Sequence, residues 1–443
     1  MANGSLGGFP GSEPPGRAGN PTQRNAEYTG RYVVLLDQSD PERGMNALRS
    51  SAGIASVERV AGAESASAVE LLSRPETSVL FDELAVAVVD AQPDQRHALV
   101  TAAEAEPLVI AAEPERVVYA TAITAAQQTL TGFFPAYRSD EAEIRRFTRA
   151  EIAAQLGPAW DESDVTWGLQ AVRAHLSGQT GQGVKIAVLD TGVDTNHPDL
   201  AGCLEETASF VPGQSVADGH GHGTHCIGTV AGPAQPHQGP RYGIAGGARV
   251  LAGKVLNNQG SGSDGQILAG MAWAIAHGAR AISMSLGAAV QPGEPFPQTY
   301  ENIAQRALRL GSVIVAAAGN ESHRPGDIEP VDRPANCPSI LAVGAVDKAL
   351  AAAWFSCGAI NGQGGEVDIA APGVDIISAA PGGGRQTMSG TSMATPHVAG
   401  ALALFGQAHP NATAAELKDL LLSAAYPLSQ RPSDIGSGLL QVP

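Results

Sequence analysis

Four short stretches of this chain carry side chains that together could do nucleophilic chemistry. In Met388–Gly400 a single serine, Ser392, leads into very small residues (Ala394, Ala399, Gly400, Ala401, Ala403) that read as a tightly packed helix. Its hydroxyl and backbone N–H then stand at a helix N-terminus, where unpaired N–H groups and the helix dipole favour developing negative charge. Pro396 falls in the first turn and leaves that helix intact; by itself the stretch could equally be a capped core helix. Val184–Leu189 reads as a buried strand ending in Asp190-Thr191-Gly192, and a carboxylate at the mouth of a sheet needs partners to offset its desolvation. Gly219–Cys226 sets His220, His222 and His225 at the start of a small-residue helix. Zinc is one reading, but no local acid completes an HExxH-type site. A catalytic imidazole fits better, with His222 as general base and its other ring nitrogen held by Asp190. His220 then reads as solvent-exposed and His225 as structural. Ala316–Asn320 ends a strand with an amide that could serve a turn or, beside a nucleophile, donate to an oxyanion together with the Ser392 N–H.

The elements that must position these groups follow from the hydrophobic pattern. From Trp167 onward strands and helices alternate as in a parallel α/β sheet. Strands are expected at Val184–Leu189, Val250–Val255, Ala281–Leu286, Val313–Ala317 and Ile340–Val343. Helices are expected at His222–Ala231, Asp264–His277, Tyr300–Leu310, Ser392–Ala408 and Ala414–Ala424. Gly-rich turns close most strands, as ligand-bearing loops at strand carboxyl ends require. Residues 31–120 predict a small α+β unit in β-α-β-β-α-β order, a ferredoxin-like arrangement, with helices over 41–51 and 93–105 and a last strand pair near 108–119. Residues 1–30, rich in Gly, Pro and polar side chains, read as a disordered leader, and 121–166 as a connector with one helix at 140–156.

Composition narrows the function classes. The 443 residues, 43% hydrophobic and 16% charged with 53 Gly and 30 Pro, suit a globular protein of two or three domains with many tight turns. A formal net charge of −17 argues against nucleic acid or an anionic membrane as main partner. No apolar run reaches the roughly 20 residues of a transmembrane helix, and a monomer is expected. The N-terminus lacks the basic-then-apolar order of a secretory signal; the compartment is left open between cytoplasmic and, with a signal missing from this chain, secreted. The four cysteines (Cys203, Cys226, Cys337, Cys357) are too few and scattered for a disulfide scaffold or CxxC zinc site.

Taken together, Asp190-Thr191-Gly192, His222-Gly223-Thr224-His225, Asn320 in Ala-Ala-Gly-Asn, and Gly390-Thr391-Ser392-Met393-Ala394 resemble the subtilisin-like serine proteases, the subtilases. The order Asp, His, Ser is that of subtilisin and differs from chymotrypsin and the α/β-hydrolases. The resemblance covers about Trp167 to Val442 and implies a serine endopeptidase with an Asp190–His222–Ser392 triad, Asn320 as oxyanion donor and no catalytic cofactor. Residues 31–120 resemble the family's inhibitory propeptide, which implies a zymogen blocked by its own N-terminal domain. The implied fold is α/β, a parallel-sheet subtilisin-like catalytic domain (167–443) preceded by a ferredoxin-like propeptide domain.

The resemblance also implies protein or peptide substrates that add as a strand between Ser285-Leu286-Gly287 and Gly260-Ser261-Gly262. Gly319 borders the pocket for the residue before the scissile bond, with Asp332 at its floor and Glu321 at its rim. Two acids there favour Lys or Arg. Cys226 is expected beneath the catalytic histidine, as in the proteinase K branch. Pro338 and Ile340, with Asp368, resemble a family cation site suited to structural calcium, whereas residues 232–241 lack the acids of the family's other calcium loop and leave Asp199 structural. The propeptide tail is expected to end near Tyr119–Thr121, with Arg138 and Arg149 as alternative cleavage points. Two competing readings are a transpeptidase or macrocyclase, in which an amine takes the acyl group, and a propeptide-blocked binding scaffold.

Overall fold

The structure is a computed structural model, and it describes residues 26–54, 56–122 and 159–443. The N-terminal unit contains strands β1 (Tyr28–Leu36), β2 (Ser56–Val60), β3 (Thr77–Phe81), β4 (Val86–Val89) and β5 (Val109–Ala120), with helices α1 (Pro41–Ala52) and α2 (Gln95–Ala105). The sheet runs β5-β1-β4-β3-β2, antiparallel except for the parallel β2–β3 pair. The β-α-β-β-α-β order is therefore present, with β2 added at the edge. Ordered structure starts earlier than the sequence suggests: residues 28–30, counted there in the leader, already belong to β1. The expected last strand pair is one 12-residue strand that continues through Pro114. α1 starts where Asp40 accepts the Arg43 N–H, with Pro41 in the first turn, and ends at Gly53 in a left-handed cap.

The larger unit is a seven-stranded parallel sheet, ordered β14-β13-β12-β10-β6-β8-β7. Its members are β6 (Lys185–Asp190), β7 (Leu204–Ser209), β8 (Arg249–Lys254), β10 (Ala281–Met284), β12 (Val313–Ala317), β13 (Leu341–Val346) and β14 (Ile369–Pro372); the short β9 (Ser261–Ser263) and β11 (Leu286–Gly287) lie outside it. Alternate residues face opposite layers. Ile186, Val188, Val313 and Val315 pack with helices α3 (His222–Ala231) and α6 (Thr391–Ala408). Ala187, Leu189, Ile282 and Ile314 pack with α4 (Asp264–Ala276) and α5 (Gln298–Leu310). Between 159 and 166 the chain already belongs to this unit: Trp160 lies 6.0 Å from Trp167 and Val165 bridges to Arg241. The expected helix at 140–156 lies outside the described residues.

The N-terminal sheet docks on the outer face of α4 and α5, and its Val33, Leu35, Phe81 and Val88 share that core layer. Acidic side chains of β5 meet both helix N-termini, where orphan N–H groups favour anions. Glu115 Oε1 accepts from Gly265 N at 2.8 Å, and Glu113 Oε1 accepts from Gln298 N at 2.8 Å. In return the buried Arg306 guanidinium, on α5, donates to the carbonyls of Leu84 and Leu36.

Candidate active site

Parallel topology gathers the chemistry at one edge. Asp190 is the last residue of β6, His222 the first of α3, Asn320 follows β12, and Ser392 is the second residue of α6. All strands of the sheet point the same way, so their carboxyl ends and the helix starts converge on one rim. His222 Nδ1–H donates to Asp190 Oδ1 at 2.7 Å, and Thr191 N donates to the same oxygen at 2.7 Å. Burial opposes charge on the His222 ring, yet the Asp190 carboxylate and the Cys226 thiol hold its pKa well above the ordinary imidazole value. Cys226 lies beneath the ring, Sγ 3.9 Å from His222 Nδ1. His225 turns away and pairs through Nε2 with the Ile376 carbonyl at 2.9 Å.

A network that the sequence reading missed fixes the loop carrying His222. Buried Asp218 accepts from Thr191 Oγ1, His220 N, Gly221 N, Thr224 N and Thr224 Oγ1 at 2.7–3.0 Å. Burial works against its ionisation, but these hydrogen bonds keep its pKa below the usual carboxylate value. The buried Lys254 ammonium, at the end of β8, donates to Thr191 O and to Asn258 Oδ1 beside these two carboxylates. An Asp four residues before a helix is an unremarkable turn residue in sequence, which is why Asp218 gave no signal.

The C-terminal end of β5 enters this rim as an antiparallel third strand between β9 and β11. Val117, Val118 and Tyr119 pair with Ser263, Gly262 and Ser261, while Ala120 and Tyr119 pair with Leu286 and Gly287. Ala120 N donates to Gly260 O at 2.9 Å, and Thr121 N to Ser285 O at 3.4 Å. Segments 260–263 and 285–287 thus flank an extended chain, and the chain between them is this protein's own. Its Thr121 carbonyl oxygen lies 2.5 Å from Asn320 Nδ2 and 2.5 Å from Ser392 Oγ. The Asn320 amide is oriented because its Oδ1 accepts from Thr391 N at 2.9 Å and Thr391 Oγ1 at 3.0 Å, leaving the NH2 to face the carbonyl. Gly390, at φ 150°, makes room: a Cβ there would stand 2.8 Å from Thr121 O.

The serine is turned toward its guest rather than its base. Besides Thr121 O, Ser392 Oγ lies 2.6 Å from Thr121 Oγ1 and 3.1 Å from Ser285 O. His222 Nε2 is buried without a hydrogen-bond partner among the described residues.

Asp332 stands close to both Gly287 and Gly319. A Cβ on Gly287 would be 3.2 Å from Asp332 Cβ, and one on Gly319 would be 2.8 Å from both Asp332 Oδ2 and Glu321 Oε2. Asp332, Glu321 and Cys357 bring their polar atoms within 4.8 Å of one another. Cys357, counted in the sequence only among four scattered cysteines, donates to Glu321 Oε2 at 3.4 Å; burial first, then the two acids, pushes its thiol well above its ordinary pKa.

The residues expected to hold calcium lie on the far side of the sheet from this rim. Lys418 Nζ donates to the Pro338 carbonyl at 3.2 Å, Ile340 is buried, and Asp368 Oδ2 accepts from Ala342 N at 2.8 Å. Burial raises the Asp368 pKa, against the pull of Lys418. Asp199 accepts from Tyr242 Oη and His237 N, with the Arg385 guanidinium 3.9 Å away and stacked on Tyr242. No described helix is long and apolar enough to cross a membrane.

The sequence profile of the subtilase family matches residues 181–438. Subtilisin from Bacillus pumilus is 41% identical over 283 residues, covering 63% of this chain and 97% of that protein. Subtilisin E from Bacillus subtilis is 41% identical over 283 residues, 70% of its own length. Subtilisin Savinase from Lederbergia lenta is 42% identical over 281 residues, 96% of its length.

Proposed function

Because the chain belongs to the subtilase family and is a serine endopeptidase, we propose that it is made as a zymogen whose N-terminal domain occupies the cleft and presents the Thr121–Ala122 bond to Ser392. The observation that carries this reading is the Thr121 carbonyl oxygen, bonded to Asn320 Nδ2 and in contact with Ser392 Oγ. Ser392 Oγ attacks the Thr121 carbonyl carbon while His222 Nε2 takes the hydroxyl proton, and Asp190 stabilises the imidazolium. Charge that develops on the Thr121 oxygen is met by Asn320 Nδ2, a contribution on the order of 3 kcal/mol. His222 then protonates the departing Ala122 nitrogen, and water releases residue 121 from the acyl-enzyme. The same steps apply to a protein substrate laid between residues 260–263 and 285–287. A general base must be neutral, and the His222 pKa is raised, so processing of the closed form should slow as pH falls.

For protein substrates supplied in trans we propose, separately, a preference for a basic residue before the scissile bond, which the chain's own Thr121 junction, held in place by its domain, does not use. Asp332, Glu321 and the Cys357 thiol cluster within 4.8 Å of one another, and a guanidinium or ammonium there would offset the two acids. Structural calcium at Pro338, Ile340 and Asp368 is likewise proposed: carbonyl and carboxylate oxygens are the donors this ion takes, and it would replace Lys418 at the Pro338 carbonyl. A melting temperature that is unchanged by chelator would overturn the calcium assignment.

N-terminal sequencing and intact mass of the active species test the central claim. An active chain beginning at Ala122, absent from a Ser392→Ala variant, is the expected result. A start after Arg138 or Arg149, or full activity with residue 121 still joined to 122, overturns it. Labelling by a fluorophosphonate only after residues 26–121 have dissociated separates an enzyme from a blocked scaffold.

A further inference from the structure

Lys254 ends β8 and is the one fully buried lysine of the chain. An ammonium ion there is costly to desolvate unless opposite charge stands beside it. Lys254 pairs in register with Asp190 on β6. Its Nζ donates to two neutral oxygens, Thr191 O and, at 2.8 Å, Asn258 Oδ1. Thr191 directly follows Asp190 in the chain. Asn258 Oδ1 also accepts, at 3.1 Å, the N–H of Gly219, which directly follows Asp218. The ammonium is thereby fixed beside two carboxylates, one in the triad and one in the loop that carries His222. Burial lowers its pKa, and Asp218 and then Asp190 work against that loss.

Asp218 is the reason a cation is needed here. Its five donors fix the start of α3, and against burial they keep the carboxylate ionised. A second negative charge so near the imidazole favours the imidazolium, adding to what Asp190 already does. A general base works only when neutral, so an uncompensated Asp218 would confine catalysis to more alkaline solution. A positive charge held beside the same carboxylates acts in the opposite sense. We propose that Lys254 is a positioning residue that offsets the field of Asp218 at His222, so that a carboxylate can fix the loop while the base stays neutral closer to pH 7. This rests on the reading of His222 as the general base.

The charged and titratable groups around His222 are Asp190 on β6, Cys226 and His225 on α3, His220 and Asp218 in the loop before it, and Lys254 on β8. His225 is held neutral by burial, and Ser392 and Thr121 bring hydroxyls only. The opposition of charges is visible at the His220 ring, whose centroid lies 6.1 Å from that of His222. Burial and then His222 lower the His220 pKa; Asp190 and Asp218 raise it, and Lys254 lowers it. The signs are the same for His222. Loss of the ammonium raises its pKa and moves the acid limb of activity to higher pH, whereas loss of the Asp218 charge moves it lower.

The acid limb of kcat/KM, measured on an uncharged peptide with the processed enzyme, reports the pKa of the free base. In Lys254→Met, which keeps the stem and removes the charge, its midpoint is expected to rise by about half to one pH unit, a threefold to tenfold change in proton affinity. Asp218→Asn should lower the midpoint by a similar amount, the double variant should return it to near the wild-type value, and Lys254→Arg should leave it in place. Lost packing alone would reduce kcat without moving the limb. An unmoved midpoint in Lys254→Met, or a double variant that stays where Lys254→Met lies, overturns the proposal. Where Lys254→Met does not mature, Asp218→Asn decides alone, and a midpoint that stays or rises overturns it. A wild-type profile without an acid limb would instead remove His222 as the base, and this inference with it.

Discussion

Thr121→Val should make the chain process itself faster, although it alters neither the triad nor the oxyanion donor. Ser392 Oγ contacts both oxygens of Thr121, carbonyl at 2.5 Å and hydroxyl at 2.6 Å, while His222 Nε2 has no partner. Attack requires the hydroxyl to turn to His222 and give up the contact with Thr121 Oγ1. A neutral hydrogen bond of this kind is worth about 0.5–1.5 kcal/mol net, and each 1.36 kcal/mol of barrier is tenfold in rate. Valine keeps the β-branched shape and removes that bond, so processing should quicken roughly two- to twelvefold. Refolding from denaturant, with the intact and cleaved chains followed by mass spectrometry, gives a first-order rate. Thr121→Ser, which keeps the hydroxyl, should stay near the wild-type rate. A Val variant no faster than wild type, or a Ser variant as fast as Val, would refute the idea that the hydroxyl holds the nucleophile back.

Asp332→Asn should lower kcat/KM for P1 Arg and Lys peptides by about tenfold to a hundredfold relative to P1 Phe; equal cleavage after Phe and Arg in a peptide library would dismiss the basic pocket. Arg306→Met removes two charge-assisted bonds to Leu84 and Leu36 carbonyls buried at the domain contact. At about 1.5–3 kcal/mol for a bond to a charged group, the cleaved N-terminal domain should bind at least tenfold more weakly, read from its inhibition constant. His225 and His397 are held neutral by burial, their pKa values lowered to about 3 and about 4. Protonation of these two favours the unfolded chain, which titrates near pH 6.5. Their stabilisation is complete above that pH and is lost as pH falls toward 4, by about 1.4 kcal/mol per unit for each histidine. Urea unfolding of the Ser392→Ala protein should show this decline between pH 6 and 4.5, and a level profile would exclude it.

Asp190, His222, Asn320 and Ser392 were legible in the sequence because local rules place each one. Every one sits where a buried apolar strand ends or a small-residue helix begins, and those junctions are written within about ten neighbouring residues. The central strands were legible for the same reason: buried on both faces, they read as continuous apolar runs. The edge strands were not. Leu204–Ser209 is half exposed and carries two glutamates, and Ile369–Pro372 ends in a proline that only an edge tolerates.

The contacts that decide how the site is governed were hidden, because they join residues far apart in the chain. Thr121 meets Ser392 across 271 positions, and Arg306 meets Leu36 across 270. No periodicity records such a pairing. His220 read as a solvent-exposed neighbour of the catalytic ring, and in the structure its side chain is exposed. Asp218 gave no signal until five donors closed around it. Local sequence thus determines which residues can do the chemistry, since strand ends and helix starts are short-range features. Only the packing of two sheets against one pair of helices decides what lies in the cleft, which way the serine turns and what the pocket prefers, since those depend on distances that the chain order does not contain.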